Sequence, residues 1–513
     1  MQILKESKTT ERRQFLKHSV MFLSASVVSQ LAGVVRSLAL TSIFMPAQLG
    51  IWNLMGVIIG YGSNSDLGIF QSICKCIPTL RGQGNVVQIK TVMDSSFWVI
   101  MALAGVSGIV LCLWAWFVNP EYSGALQITA IIIFLSTILN YLFCLLRSDN
   151  RFSLASQGIV TLGVLSTLLV VLFAFSSSNP VIGALIGLPI AEAIVIVYWF
   201  WKGNFRFTLR VHVKTVWNLL LTGFPLITIS LLSSVLLSVD RWVLAAKLTG
   251  TMLGYYALCI MVSNVTGLVP GSIYSVIYPK ILERYGASGN PRALSKLFSR
   301  PMRAMGVFMS LLIGSGVLIV PFLIRFFMPK YIPSITPLCI LLGASYFYSS
   351  SHIPWAVLVA IDKTKYILRI QLVLIPLALI LDMVVVSMGW GITGVAWSTS
   401  IVYFCYGCVC VFLAAYYVFE KQKDVLLFLG EIVGVFLIMI VVLVLSTAII
   451  PEGLTLRMSS IFLVLRLVLL SLLFFPVLYW SNRDGELVAI VREVLIGVNL
   501  LRPAKQPTKS CLC

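Results

Sequence analysis

Apolar runs of about 20 residues recur from one end of the chain to the other, broken by short polar or basic stretches. Runs of that length match the hydrocarbon thickness of a bilayer, so each predicts a membrane-spanning helix. The spans fall near 18–44, 49–75, 92–118, 124–146, 153–176, 180–201, 216–247, 252–279, 304–328, 332–360, 366–388, 391–418, 427–450 and 458–480. Hairpin bends between them are short, as at Met45–Gln48, Ser177–Pro180 and Met388–Gly391, and the longest internal loop is Lys280–Arg303. The expected fold class is therefore all-α: a polytopic membrane protein of about fourteen transmembrane helices with no soluble domain. One span departs from the pattern. Gly60 and Gly62 followed by Ser63, Asn64, Ser65 and Asp66 interrupt the second run, which predicts a broken helix lining a wet cavity.

The first twelve spans are two sets of six. Leu49-Gly50-Ile51-Trp52 corresponds to Leu253-Gly254-Tyr255-Tyr256, Gly84-Asn85 to Gly289-Asn290, and FVNPEYSGALQITAIII from Phe117 to FFMPKYIPSITPLCILL from Phe326. Gly183-Ala184 then aligns with Gly394-Val395, so four landmarks keep their order while the offset drifts only from 204 to 211. Six spans per set make both repeats enter from the same side, so two parallel, pseudo-symmetric lobes are expected around a central cavity, rocking between inward- and outward-open states. The organisation expected is an N-lobe at 1–201, a linker at 202–215, a C-lobe at 216–418, a further helix pair at 419–482 and a tail at 483–513.

Composition agrees with a membrane class: 59% of residues are hydrophobic and 11% charged, and mean hydropathy is +0.99. A net charge of +19 would suit nucleic acid were it clustered, but its placement points elsewhere. Thirty of the 37 Lys and Arg residues lie in alternate loops or at the termini, while only Lys247, Lys330 and Arg457 occupy the loops between. That asymmetry predicts both termini in the cytoplasm and no nucleic-acid partner. The first span lacks a small-residue cleavage site and reads directly into the second, unlike a secretory signal. The eleven cysteines lie mostly within spans and suggest neither a disulfide framework nor a metal site. His18, His212 and His352 are scattered and the outer loops are short, which argues against an enzyme such as a polytopic glycosyltransferase or ligase.

Charge inside a span is costly and usually marks a pathway. Arg36 lies 14 residues before Gly50 and Arg241 lies 13 before Gly254, near-equivalent positions roughly 12–15 Å below their hairpins. A guanidinium offers a planar fork of donors matched to a diphosphate or acidic sugar, so both are candidate substrate-binding residues. Asp240 neighbours Arg241, but adjacent helix positions point in different directions and need not neutralise each other; a structural pair is equally open. Arg466 is a further candidate, lining a groove for a lipid tail or pairing with an acid. Arg325, near a helix end, reads as an interface residue. Asp66 and Asn64 sit in the break of the second span as candidate substrate ligands; for Asp66 a cation site and a pair with Lys75 beyond it are equally open. Glu192 follows Pro189 near mid-membrane; with Asp240 and Asp382 it is a candidate for H+ or Na+ coupling, the alternative being a salt bridge to an arginine. Pro225, Pro270 and Pro354 are weak hinge candidates.

The first-helix arginine followed by LGIWNL, the GYGSNSDLGI run before the basic RGQGN loop, SVDRWVLAAKLTGTMLGYYAL and FMPKYIPSITPLCILL together resemble the polysaccharide transporter family. This family includes the O-antigen and related lipid-linked oligosaccharide flippases of the multidrug/oligosaccharidyl-lipid/polysaccharide exporter superfamily. The resemblance extends from about Arg13 to Trp480 and implies translocation of an undecaprenyl-diphosphate-linked oligosaccharide across the bacterial inner membrane. It carries over to Arg36 and to Asp240-Arg241 as cavity residues. As partners it implies the lipid-linked oligosaccharide, membrane lipids and polysaccharide polymerase or export machinery; beyond a coupling ion it implies no cofactor. The helix pair beyond the twelfth span is more like the fourteen-span peptidoglycan-precursor flippases. A cation-coupled drug exporter of the same superfamily is the alternative, and would favour an acidic, aromatic cavity and about twelve spans.

Overall fold

A computed structural model describes residues 2–83, 85–117, 120–149, 151–205, 207–449 and 456–481. The expected basic tail, 483–513, lies outside them. The first seven helices are α1 (Gln2–Ile43), α2 (Pro46–Gly62), α3 (Ile69–Gly82), α4 (Val86–Ala115), α5 (Pro120–Ser148), α6 (Phe152–Ser176) and α7 (Pro180–Gly203). Then come α8 (Val213–Leu236), α9 (Val239–Lys247), α10 (Gly250–Thr266), α11 (Leu268–Ser288), α12 (Ser295–Phe327), α13 (Ile335–Ser350), α14 (His352–Ala360), α15 (Thr364–Ser387) and α16 (Gly391–Val418). The chain closes with α17 (Gln422–Ile449) and α18 (Leu456–Ser481), and among the described residues it has no strand. This is an all-α, multi-pass membrane protein.

Among the described residues, twelve helical segments are long and apolar enough to cross a bilayer, and a thirteenth, α8, qualifies although it bends by 42° between Pro225 and Ile227. Proline removes a helical hydrogen bond and crowds the preceding turn, which is the physical reason for the bend. The remaining expected span, 49–75, is two helices, α2 and α3, with a break at Ser63–Gly68. Leu67 and Gly68 take positive φ angles of 51° and 91° there, so the chain cannot continue as one rod. Counting this interrupted unit as one broken span, the described residues agree with about fourteen; its Gly- and Ser-rich stretch gives up helical continuity.

Each repeat landmark has a structural cause. Gly183 stands three residues into α7 and Gly394 three into α16. A Cβ at Gly183 would collide with the end of α6, and one at Gly394 would stand 2.6 Å from Cβ of Trp390 and 3.0 Å from Cβ of Val385 at the end of α15. Both hairpins are tight for the same reason. Asn85 accepts the Gln88 amide at 3.1 Å to start α4, and Asn290 accepts the Arg292 amide at 3.0 Å to start a 3-10 turn, Pro291–Leu294. Pro120 opens α5 as Pro329 opens the 3-10 turn that leads into α13.

α1, α5, α6 and α7 pack together, as do α10, α13, α15 and α16; α17 and α18 lean on α12. Arg303–Glu431 (2.8 Å) and Arg292–Glu420 (3.0 Å) tie the start of that added pair to the basic-loop side. The broken α2–α3 unit runs along the second half of the molecule and makes most of the seam with it. At the short-hairpin end, Gly50 faces Gly254: a Cβ on Gly50 would stand 2.9 Å from the Gly250 carbonyl oxygen and 3.0 Å from the Gly254 nitrogen. The two equivalent repeat positions therefore meet one another. Lys330 fastens the same end, its Nζ donating to the Ser42 (2.8 Å) and Phe44 (2.7 Å) carbonyls, with the buried Tyr331 hydroxyl donating to Phe44 at 3.1 Å. A lysine from the second half thus caps the C-terminal end of α1, which carries negative partial charge and no basic residue of its own.

Deeper in, Tyr61 bonds Ser238, Trp242 Nε1 donates to the Tyr61 hydroxyl at 3.1 Å, and Ser230 donates to Asn64 Oδ1 at 3.4 Å. At the basic-loop end Gly68 crosses Gly223, and the Ser72 hydroxyl donates to the Leu219 carbonyl at 2.5 Å. A Cβ at residue 250 would stand 3.8 Å from that of Ala47, within the span of roughly 3.5–4.5 Å that a disulfide bridges. Ala47→Cys combined with Gly250→Cys is therefore expected to cross-link under mild oxidant and to lock this end of the seam shut until reductant is added. Mass spectrometry of the linked peptides checks the bond; failure to link would place the two helix ends apart.

Candidate functional site

The first candidate site is built on α1. Gly163 of α6 lets α1 approach so closely that a Cβ there would lie 2.6 Å from Ser29 Oγ, and Thr167 donates to the Ala32 carbonyl at 3.0 Å. That crossing sets the half-buried Arg36 over Ser166, whose hydroxyl accepts from Nη1 at 3.0 Å. Between α1, α2, α5, α6 and α7 lies a cavity of about 410 Å³ lined by Arg36, Ser166, Trp52 and Glu192 among others. Glu192 Oε1 accepts from Ser136 at 2.6 Å, while its Oε2 is buried without a hydrogen-bond partner. Among the described residues Arg36 makes no ion pair. Sequence reasoning named Arg36 and Glu192; the structure brings them into one cavity. Its lining hydroxyls, Ser29 and Ser166, and Ser136 behind Glu192 carried no sequence signal, because serine is common in membrane helices as a back-bonded neutral residue.

A second cluster lies where α9, α10, α15 and α16 meet. Asp240 is 4% exposed and Asp382 1%. The buried Tyr256 hydroxyl donates to Asp240 Oδ2 at 2.7 Å and lies 3.2 Å from the Thr399 hydroxyl. α15 packs on α9 and brings Asp382 into electrostatic range of Asp240, while Asp382 Oδ1 has no hydrogen-bond partner. Arg241 does not line the Arg36 cavity. It bonds the Leu237 carbonyl and its Nε stands 3.6 Å from Asp240 Oδ1, so the neighbours do pair: Asp240 occupies the first turn of α9, where its carboxylate turns back onto the Arg241 amide at 2.8 Å. Tyr256 and Thr399 were not foreseen, since nothing in a lone Tyr or Thr marks it as facing an acid on another helix.

The remaining candidates stand apart from both clusters. Asp66 is buried in the α2–α3 break and accepts the Phe70 amide at 2.7 Å, capping α3, with Oδ1 unpartnered. Asn64 donates to the Gly60 carbonyl at 3.0 Å and accepts from Ser230 across the seam. Arg466, half-buried on α18, lines neither the Arg36 cavity nor the acidic cluster. Asp94 was missed altogether, although it lies within an expected span. Its carboxylate takes the Thr208 amide at 3.1 Å and the Thr208 hydroxyl, Trp98 donates to the Thr208 carbonyl at 3.0 Å, and Phe207 stacks on Phe97 at 4.0 Å. The linker expected at 202–215 is therefore strapped onto α4.

No family model and no curated protein matches the sequence. Among solved structures the fold is similar to that of the lipid II flippase MurJ in an inward closed conformation, with TM-score 0.71 and 16% identity over 91% of this chain and 99% of that one. It is also similar to an inward-facing multidrug resistance MATE family transporter of the MOP superfamily, with TM-score 0.65 and 12% identity over 80% and 98%. A variant of the Vibrio cholerae MATE transporter VcmN gives TM-score 0.57 and 15% identity over 80% and 97%. At these identities the likeness is one of fold.

Tyr256→Phe deletes the hydroxyl donated to Asp240 without changing the volume packed around it. Leaving the buried carboxylate short of a donor is expected to cost about 1–3 kcal/mol, read as a lowered thermal midpoint of the purified protein. An unchanged midpoint would mean that water or a cation already serves Asp240.

Proposed function

We propose that this protein is a flippase that moves an undecaprenyl-diphosphate-linked oligosaccharide across the bacterial inner membrane by alternating access. In this reading 1–201 and 216–418 are the two lobes, 202–215 links them, 419–482 adds a helix pair, and both termini face the cytoplasm. One observation carries it: Arg36 projects into a cavity of about 410 Å³ with a neutral hydroxyl as its partner, so its charge is available to an anion. A guanidinium in such a place offers paired donors to a diphosphate. The fold likeness supports the same class, because it includes a lipid II flippase. That likeness spans 91% of the chain against 80% for the MATE transporters. The difference, about 56 residues of 513, is the size of α17 (28 residues) with α18 (26 residues).

The buried Asp240–Asp382 pair, with Tyr256 and Thr399 beside it, is our candidate for the coupling ion. Two buried carboxylates within electrostatic range lower their mutual repulsion by taking up a proton or Na+. A drug exporter is the second reading, favoured by Glu192 and Trp52 in the Arg36 cavity, since an acid and an aromatic face suit a lipophilic cation.

Cells lacking the protein are expected to trap undecaprenyl-diphosphate oligosaccharide on the cytoplasmic leaflet and to lose surface polymer, as measured by lipid extraction and mass spectrometry. Unchanged lipid-linked pools with altered sensitivity to cationic dyes would move the assignment to the drug exporter. Arg36→Ala is expected to abolish transport at normal membrane expression, while Arg36→Lys retains part of it; full transport by Arg36→Ala would remove that residue from the mechanism. Asp382→Asn is expected to make residual transport indifferent to an imposed Na+ or pH gradient in proteoliposomes. A gradient response equal to wild type would place coupling elsewhere.

A further inference from the structure

A second cavity, of about 470 Å³, lies at the basic-loop end between α3, α4 and α8, where the two halves of the molecule meet. Its walls carry polar stripes at helical spacing beside the apolar Cys76, Leu80, Val92 and Leu219. Thr215, Asn218 and Thr222 form one face of α8, and the opposite face, with Trp217, Leu221 and Phe224, is exposed. Ser72 projects from α3, Gln83 from the turn that follows it, and Gln88 from the first turn of α4. The floor is fixed by the Gly68–Gly223 crossing and by the Ser72 hydroxyl on the Leu219 carbonyl. None of the residues lining the cavity is charged or aromatic. The neighbouring cations stay out of it: Arg81 is committed to Asp149 and the Ser148 carbonyl, and neither Lys90 nor Lys214 reaches the lining.

We propose that this cavity binds a neutral, polyhydroxylated ligand: the sugar part of the lipid-linked substrate, held at the entrance on the cytoplasmic side. The inference rests on the flippase reading and deepens it. An amide side chain offers two donors and an acceptor, which matches hydroxyl groups that donate and accept in turn. Among the described residues the amides of Gln83, Gln88 and Asn218 have no side-chain hydrogen bond within the protein, so their groups are free for a ligand. An anion would find no cation here, and a lipophilic cation neither acid nor aromatic face. The volume lies within the range of roughly 300–1,000 Å³ typical of small-ligand pockets. The division of labour follows: diphosphate to Arg36, glycan to a charge-free amide and hydroxyl lining. Because α8 belongs to one half and α3 and α4 to the other, rocking of the halves changes the cavity, so sugar held here is released as the protein turns. The terminal glycerol of a phospholipid headgroup presents similar hydroxyls, though beside a phosphate that this lining does not neutralise, and the test separates it from a glycan.

The full-length protein in lipid nanodiscs is titrated calorimetrically with maltotriose, with chitotriose and, separately, with glycerophosphoglycerol. At least one trisaccharide is expected to bind, with affinity reduced about tenfold or more in the double variant Asn218→Ala, Gln88→Ala and kept in Arg36→Ala. All three variant positions are solvent-accessible in part, and an unchanged thermal midpoint confirms folding. Binding of neither trisaccharide, or trisaccharide binding that survives the double substitution, overturns the proposal. Binding of glycerophosphoglycerol alone overturns it in favour of a lipid headgroup site. Trisaccharide binding that is lost in the double variant, together with lipid-linked glycan pools unchanged in cells lacking the protein, retires the flippase reading and leaves the sugar site standing.

Discussion

The close approach of backbones along the α2–α3 seam is the constraint on which the rest of the structure depends. Hydrocarbon gives two apolar helices no reason to associate, because lipid tails solvate leucine as well as another helix does. Contact then has to come from van der Waals packing of small residues and from hydrogen bonds. The seam uses both: Gly50 against Gly254 at one end, Gly68 against Gly223 at the other, and between them hydroxyl and amide contacts from Tyr61, Asn64 and Ser72. No ion pair crosses it among the described residues. Such contacts hold two bodies in register yet separate at modest cost, since each hydrogen bond is worth only about 0.5–1.5 kcal/mol net.

The break at Ser63–Gly68 follows from the same constraint. A straight helix of 37 residues from Pro46 to Gly82 would diverge from a partner that itself bends at Pro225 and breaks at Leu237–Ser238. Interrupting α2–α3 lets one unit follow α10 near the short hairpins and α8 near the basic loops. Asp66 satisfies the start of α3 by accepting the Phe70 amide, so a candidate ligand residue also has a structural duty. Breaking the rod leaves backbone to be satisfied, and polar side chains in the break do it.

Charge is distributed unequally between the halves. The first holds Arg36 and Glu192 around one cavity, with serines as their hydrogen-bond partners. The second holds Asp240 and Asp382, with Arg241 turned onto its own neighbour. Near-equivalent arginines thus end in different chemistry. α1 is continuous through Arg36, whereas the equivalent segment breaks just before Arg241, so Asp240 gains a helix N-terminus and the guanidinium folds back onto Leu237 and Asp240.

Much of the architecture is written in local patterns. Span length, the two sixfold repeats, the interrupted second span and the intramembrane charges are all one-dimensional signals, because a bilayer imposes length and hydropathy on every crossing segment independently of its neighbours. The repeat glycines were visible too, though not their meaning: Gly50 and Gly254 matched as landmarks before they were seen to touch. Partnership is what the linear pattern lacked. That Arg36 and Glu192 share a cavity, that Tyr256 serves Asp240, that Lys330 caps α1 and that Asp94 holds the linker all depend on helices far apart in the chain. Membrane helices are apolar on every side, so periodicity does not reveal which face meets which neighbour. Only the packed helices, brought together at their small residues, assign each buried polar group its partner.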